Sequence, residues 1–329
     1  MTETGLHPRV VPADAGGLAA AVAPLRDGQP VAFPTETVYG LGANALDPAA
    51  VARIYEAKGR PAYNPIIVHV ADVAAARVLA RPWPAVADRL AARWWPGPLT
   101  IVVPRAPAVP DIVTAGMPTV ALRVPAHPAA RALLLAAGMP LAAPSANRSG
   151  EVSPTEASHV ARSLAGRIPL VLDGGATTVG IESTVVDLSG PRPVLLRPGA
   201  VSRQALEEVL GPVELPARAR SAESARPAPG MLDRHYAPRA PLRLLGPGEL
   251  PAPVPAGERL GALLLGEAAP GAAHVVVRLP ADPEGYARGL YRALHQLDDH
   301  GVTAIVVTLP PDTPAWAAIR DRLGRAAHP

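Results

Sequence analysis

Residues 31–42 read Val-Ala-Phe-Pro-Thr-Glu-Thr-Val-Tyr-Gly-Leu-Gly, a short apolar run that passes directly into a turn-rich segment. The apolar run predicts a buried strand over residues 31–33. The residues that follow it, 34–37, could simply cap a turn with their side chains. They could also place hydroxyl and backbone groups at the carboxyl edge of a sheet, where α/β folds hold ligands. The segment by itself is compatible with both interpretations.

A helix is predicted after this segment. Asp47 is a suitable N-cap, Pro48 suits the first helical position, and Gly59 suits the C-terminal cap. Lys58 falls in the last turn and is the only lysine among the 31 lysine and arginine residues. A cation there is favourable with the helix dipole, but a compact ammonium also fits between phosphate oxygens. Lys58 and Arg60 therefore either stabilise the end of the helix or bind a triphosphate.

The rest of the chain alternates strands and helices without regular βαβ spacing, which predicts an α/β domain with a mixed, twisted sheet over residues 1–210. Strands are predicted near 65–70, 99–103, 119–124, 140–143, 169–172, 183–188 and 193–197, and helices near 84–95, 127–137 and 202–210. Residues 211–240, rich in Pro, Ala and Arg, are interpreted as a linker. Strands near 242–245, 260–265, 274–278 and 303–309, with helices near 283–299 and 314–323, predict a small α/β domain over 241–329.

Composition and motifs exclude several classes of protein. Without cysteine the chain can form neither disulfides nor a thiolate zinc site. The polar N-terminus predicts no secretory signal, and no apolar run approaches the length of a membrane span. There is no Walker A sequence, no paired-histidine metal helix and no Gly-x-Ser-x-Gly elbow. A net charge of +3 and a pI near 9.6 permit anionic ligands without requiring nucleic acid.

Several polar residues follow apolar strands. His69 is by default a structural histidine, and Arg123 needs either an anionic ligand or an internal acid as its partner, because a buried guanidinium must be paired. The loop Ser145-Ala-Asn147 could be a polar turn, or could supply a hydroxyl and an amide to a nucleotide. Arg197 also ends a predicted strand, so its side chain is expected to face the groups that lie at that edge of the sheet.

Taken in order, these segments resemble the YrdC family of threonylcarbamoyl-adenylate synthases in its long, two-domain form. The resemblance runs through Pro34–Gly42, Lys58–Pro61, Asn64–His69, Trp95–Leu99, Arg123–Pro125, Pro144–Asn147, Asp173–Ser183, Arg197–Gly199 and Pro229–Pro238. Any one motif is weak, whereas the ordered set is specific. The implied fold is a YrdC-like twisted mixed sheet with helices, followed by a smaller Rossmann-like α/β domain.

The resemblance also implies an activity. Such an enzyme, a nucleotidyltransferase, makes threonylcarbamoyl-AMP and pyrophosphate from L-threonine, bicarbonate and ATP, with Mg²⁺ on the phosphates. A partner transferase then modifies the adenosine beside the anticodon of certain tRNAs, so a cytoplasmic location without membrane attachment is expected. The implied ATP contacts are Lys58, Arg60, Ser145, Asn147, Ser153, Arg197, His235 and Tyr236, with Lys58 and Arg60 as the catalytic cations. The implied threonine pocket consists of Thr35, His69, Arg123, Ala143 and Ser183, with Arg123 on the carboxylate; no residue is implied as a metal ligand.

In the long form the linker closes over the site, so His235 and Tyr236 would cover the nucleotide. A lysine or arginine usually follows the Gly-Met pair of the linker, and Leu232-Asp233 stand there instead, so no phosphate contact is expected from those two positions. Two rival interpretations are a carbamoyltransferase with a YrdC-like module and a non-catalytic RNA-binding module. The absence of cysteine and the length of 329 residues argue against the first, and 3% aromatic residues against the second.

Overall fold

The computed structural model describes residues 7–216, 235–246 and 248–328. In the first domain the strands are β1 (Arg9–Pro12), β2 (Val31–Phe33), β3 (Gly40–Asn44), β4 (Val68–His69), β5 (Leu99–Pro104), β6 (Thr119–Arg123), β7 (Leu141–Ala142), β8 (Leu170–Asp173), β9 (Thr184–Asp187) and β10 (Val194–Arg197). The helices are α1 (Ala15–Arg26), α2 (Pro48–Lys58), α3 (Val73–Val78), α4 (Ala85–Trp94), α5 (Asp111–Thr114), α6 (Pro128–Ala137), α7 (Ala157–Ser163) and α8 (Arg203–Leu210).

The ten strands form one mixed sheet in the order β1-β8-β2-β3-β7-β4-β6-β5-β9-β10. Strand β4 runs parallel to β6, which aligns His69 with Arg123, and antiparallel to β7. Strand β9 lies between β5 and β10. Strands β4 and β6 therefore end at the same edge of the sheet, whereas β7, which runs antiparallel to β4, ends at the opposite edge.

The second domain has its own four-stranded sheet in the order β11-β14-β12-β13, with every strand pair parallel. Its elements are β11 (Leu242–Leu245), β12 (Leu260–Leu265), β13 (Val275–Leu279), α9 (Pro283–Asp299), β14 (Ala304–Thr308) and α10 (Ala317–Ala326), with a 3₁₀ turn over Pro314–Trp316. The fold class predicted from the sequence, a mixed α/β sheet followed by a smaller Rossmann-like domain, is confirmed. Most of the predicted linker, including Leu232-Asp233, lies outside the described residues, so the domain boundaries stay a prediction.

One apolar cluster spans both domains. Val38 and Ile181 of the first domain and Tyr236 of the linker pack with Leu290 and Leu294 of α9. Burial of apolar surface is the main force that holds such an interface together. The second domain and the linker are therefore packed directly against the loops of the first sheet.

Strand β3 was not predicted, because Gly40 and Gly42 gave its sequence the character of a turn. The structure explains Gly42 by close packing, since a Cβ atom there would lie 2.6 Å from the Phe33 ring. The predicted strands 65–70 and 140–143 shorten to two residues each, and β1, α1, α3, α5 and α7 were also missed. Sheet neighbours, which a sequence does not display, decide where these elements begin and end.

Candidate active site

A cavity of about 50 Å³ is lined by residues of the central strands and of the loops beside them. Ten of the thirteen residues implied by the resemblance line it, namely Thr35, Arg60, His69, Arg123, Ala143, Ser145, Ser183, Arg197, His235 and Tyr236. Lys58, Asn147 and Ser153 are buried just behind this lining. Segments far apart in the sequence therefore meet at one place.

Lys58 is placed by the end of helix α2. Gly59 takes a left-handed conformation (φ 60°) that ends the helix, and the Lys58 side chain turns inward and is 3% exposed. Its ammonium donates to the carbonyl oxygens of Ser145, at 2.6 Å, and of Asn147. Burial, and secondarily the charge of Arg60, lowers the pKa of Lys58 well below its usual range. The ammonium thus holds the 145–147 loop in place and adds positive charge behind the cavity.

Arg60 lies beyond the helix end and lines the cavity. Its guanidinium donates to the carbonyl oxygens of Asn64 (3.0 Å) and Pro65 (2.6 Å), which fixes its direction. The Asn64 side chain is 1% exposed, and neither its oxygen nor its nitrogen has a partner among the described residues. Unpaired buried amides are costly, so Asn64 is a candidate ligand contact that the predicted set lacks. Its rarity as one of three asparagines was the available signal.

Arg123 is held by the first polar loop. Its guanidinium donates to Glu36 Oε1 (2.6 Å), Thr37 Oγ1 (2.9 Å) and the Gly97 carbonyl (3.2 Å). The sequence left open whether an internal acid or a ligand pairs with this arginine; among the described residues an internal acid, Glu36, does so. A guanidinium has five N–H donors, so these contacts leave two that can meet a ligand carboxylate in the cavity.

Glu36 stays ionised although it is buried. Burial alone would raise the pKa of this carboxyl, but the adjacent Arg123 charge and its hydrogen bond lower it below the usual range. The second oxygen of Glu36 accepts from the Ala126 backbone N–H at 3.0 Å. Glu36 was missed because the sequence gives no sign of which acid lies beside the strand-borne arginine.

Thr35 and His69 complete this end of the cavity. Thr35 Oγ1 donates to the Val38 carbonyl at 2.6 Å and accepts from the Val38 N–H, which shapes the turn. Burial, and then the charge of Arg123, lowers the pKa of His69 to about 3, so its imidazole is neutral. Its Nδ1 atom has no partner among the described residues and is available to a ligand.

Arg197 and Ser183 meet at the other side. The Arg197 guanidinium donates to the carbonyl (3.0 Å) and the hydroxyl (3.1 Å) of Ser183, whose hydroxyl also lies 2.8 Å from Thr100 Oγ1. Gly199 allows this approach, because a Cβ atom there would lie 2.4 Å from the Thr184 backbone nitrogen. The strand-end arginine and the loop before β9 are therefore packed as one unit.

Glu182 is the only acid among the described residues that line the cavity. Burial would raise its pKa, but Arg322, Arg197 and the Ser153 hydroxyl together lower it to about 2. The sequence showed Glu182 beside Ser183, yet nothing in the motif indicated that two of its partners, Tyr291 and Arg322, come from the second domain.

The described end of the linker closes one side of the cavity with His235 and Tyr236. His235 and Tyr236 are 7% and 1% exposed, and their rings contact each other edge to face at 4.0 Å. The Ala237 N–H donates to the Gly150 carbonyl (2.9 Å) in the first domain, and the His235 N–H donates to the Arg325 carbonyl (3.3 Å) in the second. Tyr236 has a φ of 63°, an uncommon value for an aromatic residue and a typical sign of a functional position.

Burial, reinforced by Arg60 and Lys58 against the opposing effect of Glu182, lowers the pKa of His235 to about 3. The cover therefore presents a neutral imidazole to a cavity surrounded by cations. Neither the Nδ1 atom of His235 nor the Tyr236 hydroxyl has a partner among the described residues.

The described residues contain no group of three or more His, Cys, Asp or Glu placed to hold a metal ion. None of their helices is long and apolar enough to cross a membrane.

Comparison with known proteins covers both domains. The family model for Sua5, YciO and YrdC proteins, described as telomere recombination, matches residues 23–199, and the model for the threonylcarbamoyl-AMP synthase C-terminal domain matches residues 201–328. The threonylcarbamoyl-AMP synthase of Bacillus subtilis is 46% identical over 321 residues, which cover 94% of this chain and 92% of that protein.

Two solved structures extend the similarity. The crystal structure of Pyrococcus abyssi Sua5 complexed with L-threonine has a TM-score of 0.89, 40% identity and coverage of 97% of both chains. A P. abyssi Sua5 variant, in which a consecutive histidine and tyrosine are replaced by alanine, has a TM-score of 0.88, 39% identity and coverage of 97% of this chain and 96% of that one. With both domain models matched in order and these identities over nearly the whole chain, the chain belongs to the two-domain, YrdC-like threonylcarbamoyl-AMP synthase family.

Proposed function

We propose that this protein is a nucleotidyltransferase that converts L-threonine, bicarbonate and ATP into threonylcarbamoyl-AMP and pyrophosphate. The observation that carries the proposal is the cavity itself. One part of the cavity, around Arg123, is suited to bind a carboxylate. It adjoins a cationic region around Arg60 and Arg197. An amino acid and a nucleotide phosphate would thus be held next to each other, as the reaction requires.

The threonine end is assigned to Thr35, His69, Arg123, Ala143 and Ser183. Arg123 would bind the substrate carboxylate with the two N–H groups that Glu36, Thr37 and Gly97 leave open. Because the guanidinium is already fixed by those three contacts, it loses little freedom when it binds the substrate. The similarity to a structure complexed with L-threonine supports this end of the site.

The nucleotide end is assigned to Lys58, Arg60, Ser145, Asn147, Ser153 and Arg197, covered by His235 and Tyr236. Asn64 joins this set on the strength of its unpaired buried amide next to Arg60. Three cations buried in one region are unfavourable by themselves. A polyphosphate would compensate their charge, which gives the arrangement a purpose.

The chemistry needs positioning more than a strong base. The threonine amine and bicarbonate combine to a carbamate with loss of water, and a carbamate oxygen then attacks the α-phosphorus of ATP while pyrophosphate leaves. Since the carbamate is already an anion, the protein contributes alignment and stabilisation of charge on the phosphates by Lys58, Arg60 and Arg197. His69 and His235 are neutral hydrogen-bonding groups in this scheme.

The cover over the site suits a labile product. The free cavity of about 50 Å³ is far smaller than the ~300–1,000 Å³ of ordinary ligand pockets. We therefore expect His235 and Tyr236 to move outward when ATP enters and to close again over the complex. Closure would keep water from the carbamate and the mixed anhydride.

Mg²⁺ would accompany ATP and neutralise phosphate charge. Glu36 and Glu182 are committed to Arg123 and to Arg322, and the described residues hold no acidic cluster that fits an ion. The ion would therefore be held by phosphate oxygens and water. The product would pass to a transferase that modifies tRNA adenosine, and the proposed location of the activity is the cytoplasm.

The decisive experiment measures pyrophosphate release from ATP by the purified protein. Release should require both L-threonine and bicarbonate, and mass spectrometry should detect threonylcarbamoyl-AMP. Arg60→Ala should lose the activity, whereas Arg89→Ala, on helix α4 outside the cavity lining, should retain it. Pyrophosphate release that does not depend on threonine, or no release at all, would refute the proposal.

A further inference from the structure

The only acid that lines the described cavity is held by the second domain. The Glu182 carboxylate accepts a hydrogen bond from Tyr291 on helix α9 (2.9 Å, to Oε2) and one from Arg322 on helix α10 (2.8 Å, to Oε2). Arg322 also reaches the Glu182 carbonyl at 3.4 Å, and its side chain is completely buried. Two helices of the second domain therefore converge on one residue of the first.

The same carboxylate reaches the nucleotide side of the cavity. Its other oxygen, Oε1, accepts from the Ser153 hydroxyl at 2.6 Å. Helix α9 also contacts Ser153 directly, because His295 Nε2 donates to the Ser153 carbonyl at 3.2 Å. Both polar ends of Ser153 thus depend on the second domain, one directly and one through Glu182.

The threonine side has no such dependence among the described contacts. Arg123 is held by Glu36, Thr37 and Gly97, and the Ser183 hydroxyl by Thr100 and Arg197. All of these residues belong to the first domain. Support from the second domain is therefore directed at one of the two substrate sites.

We infer that Tyr291 and Arg322 are positioning residues that set ATP affinity by fixing the Glu182 carboxylate and, through it, Ser153. The inference rests on the proposed function, because Ser153 is a proposed ATP contact. Arg322 has a second task, since it neutralises a buried carboxylate that would otherwise compete with phosphate for the Arg197 cation. The second domain thereby tunes the nucleotide site without touching the nucleotide.

The first test compares two tyrosine variants of helix α9. Tyr291→Phe removes the hydroxyl that donates to Glu182, while Tyr286→Phe removes one that is buried on the same helix and has no partner among the described residues. Loss of a hydrogen bond to a charged group corresponds to roughly tenfold in affinity. Tyr291→Phe should raise the KM for ATP about tenfold, leave the KM for threonine within about twofold, and change kcat little. Tyr286→Phe should behave as the wild type.

The second test uses charge rescue. Arg322→Met leaves the buried Glu182 carboxylate without its counter-charge. It should weaken ATP binding more than Tyr291→Phe does. The double variant Arg322→Met with Glu182→Gln leaves no buried charge unpaired at this position and should recover most of the lost ATP affinity. Arg322→Lys should retain only part of the wild-type ATP affinity, because lysine lacks the planar fork of the guanidinium. Thermal unfolding of each variant separates loss of folding from loss of affinity.

Equal rises in both KM values, or a Tyr291→Phe enzyme indistinguishable from Tyr286→Phe, would overturn the inference while leaving the proposed function intact. Inactive wild-type protein would instead count against the proposed function. In that case calorimetric titration with ATP alone still tests the inference. The inference predicts that Tyr291→Phe binds ATP more weakly than the wild type, whatever reaction follows.

Discussion

At the scale of single residues, the Arg123 end of the site is built around a buried ion pair. Arg123 and Glu36 form an ion pair whose side chains are 4% and 8% exposed. Removing one partner of such a pair leaves an uncompensated buried charge, which is far more costly than replacing both. Buried partners therefore matter for stability as well as for substrate binding.

Glu36→Gln should lower the free energy of unfolding by about 3–5 kcal/mol, because Arg123 would lose its buried counter-charge. Urea denaturation followed by circular dichroism measures this directly. The matched control is Glu208→Gln, which breaks the half-exposed pair with Arg93 and should cost at most about 1 kcal/mol. Similar losses in the two variants would show that burial does not strengthen the Arg123 pair.

Lys58→Ala should reduce threonine-dependent pyrophosphate release by at least about 100-fold, since it removes a positive charge from the nucleotide end. It also leaves the carbonyls of Ser145 and Asn147 without their donor, which should cost about 1–3 kcal/mol of stability. Steady-state kinetics and thermal melting report the two effects separately. Arg53→Ala, on the same helix but donating to the Gly28 carbonyl, is the control, and undiminished turnover in Lys58→Ala would contradict the phosphate role.

At the scale of elements, the site depends on loops that pack against each other's backbone. The turn after β10 packs against the residues at the start of β9. An ideal Cβ atom on Gly199 would lie 2.4 Å from the Thr184 backbone nitrogen and 2.8 Å from the Glu182 carbonyl oxygen. The two loops carry Arg197, Glu182 and Ser183. Their close packing therefore positions three residues that line the cavity.

Gly199→Ala should destabilise the protein by about 1–3 kcal/mol, because the new methyl group collides with backbone that cannot move alone. It should also raise the KM of both substrates, since the loop carries groups from both ends of the cavity. Gly324→Ala, at an exposed position in α10 with nothing near its Cβ, should instead stabilise by up to about 1 kcal/mol. Equal unfolding free energies for the two variants would refute the packing argument.

At the scale of the whole molecule, the two domains share an interface with its own buried histidines. His159 of α7 and His295 of α9 stack at 3.9 Å, and Arg162 pairs with Asp299 across the same boundary at 3.1 Å. Burial, and then His295 and Arg162, lowers the pKa of His159 to about 3, and burial lowers that of His295 to about 4. Both rings are therefore neutral in the folded protein at neutral pH.

Stability should fall as the pH drops from about 6.5 to 4.5. In this range the unfolded chain binds protons on these histidines and the folded chain does not, so each contributes a slope of about 1.4 kcal/mol per pH unit. His69 and His235 add to the total, so the test is the difference between the wild type and the double variant His159→Phe, His295→Phe. Denaturation at a series of pH values should give a shallower slope for the variant, and parallel curves would disprove the assignment.

The linear order of residues determined the fold class, the end of helix α2 at Gly59 and most of the residues that line the cavity. These features depend on local signals, namely caps, apolar periodicity and an ordered set of motifs, which a sequence displays directly. Only the tertiary structure decided that Glu36 neutralises Arg123, that Asn64 is buried without a partner, and that Tyr291 and Arg322 hold Glu182. Such contacts join residues 87 and 140 positions apart, and their partners are selected by how sheets and domains pack, which no local pattern encodes.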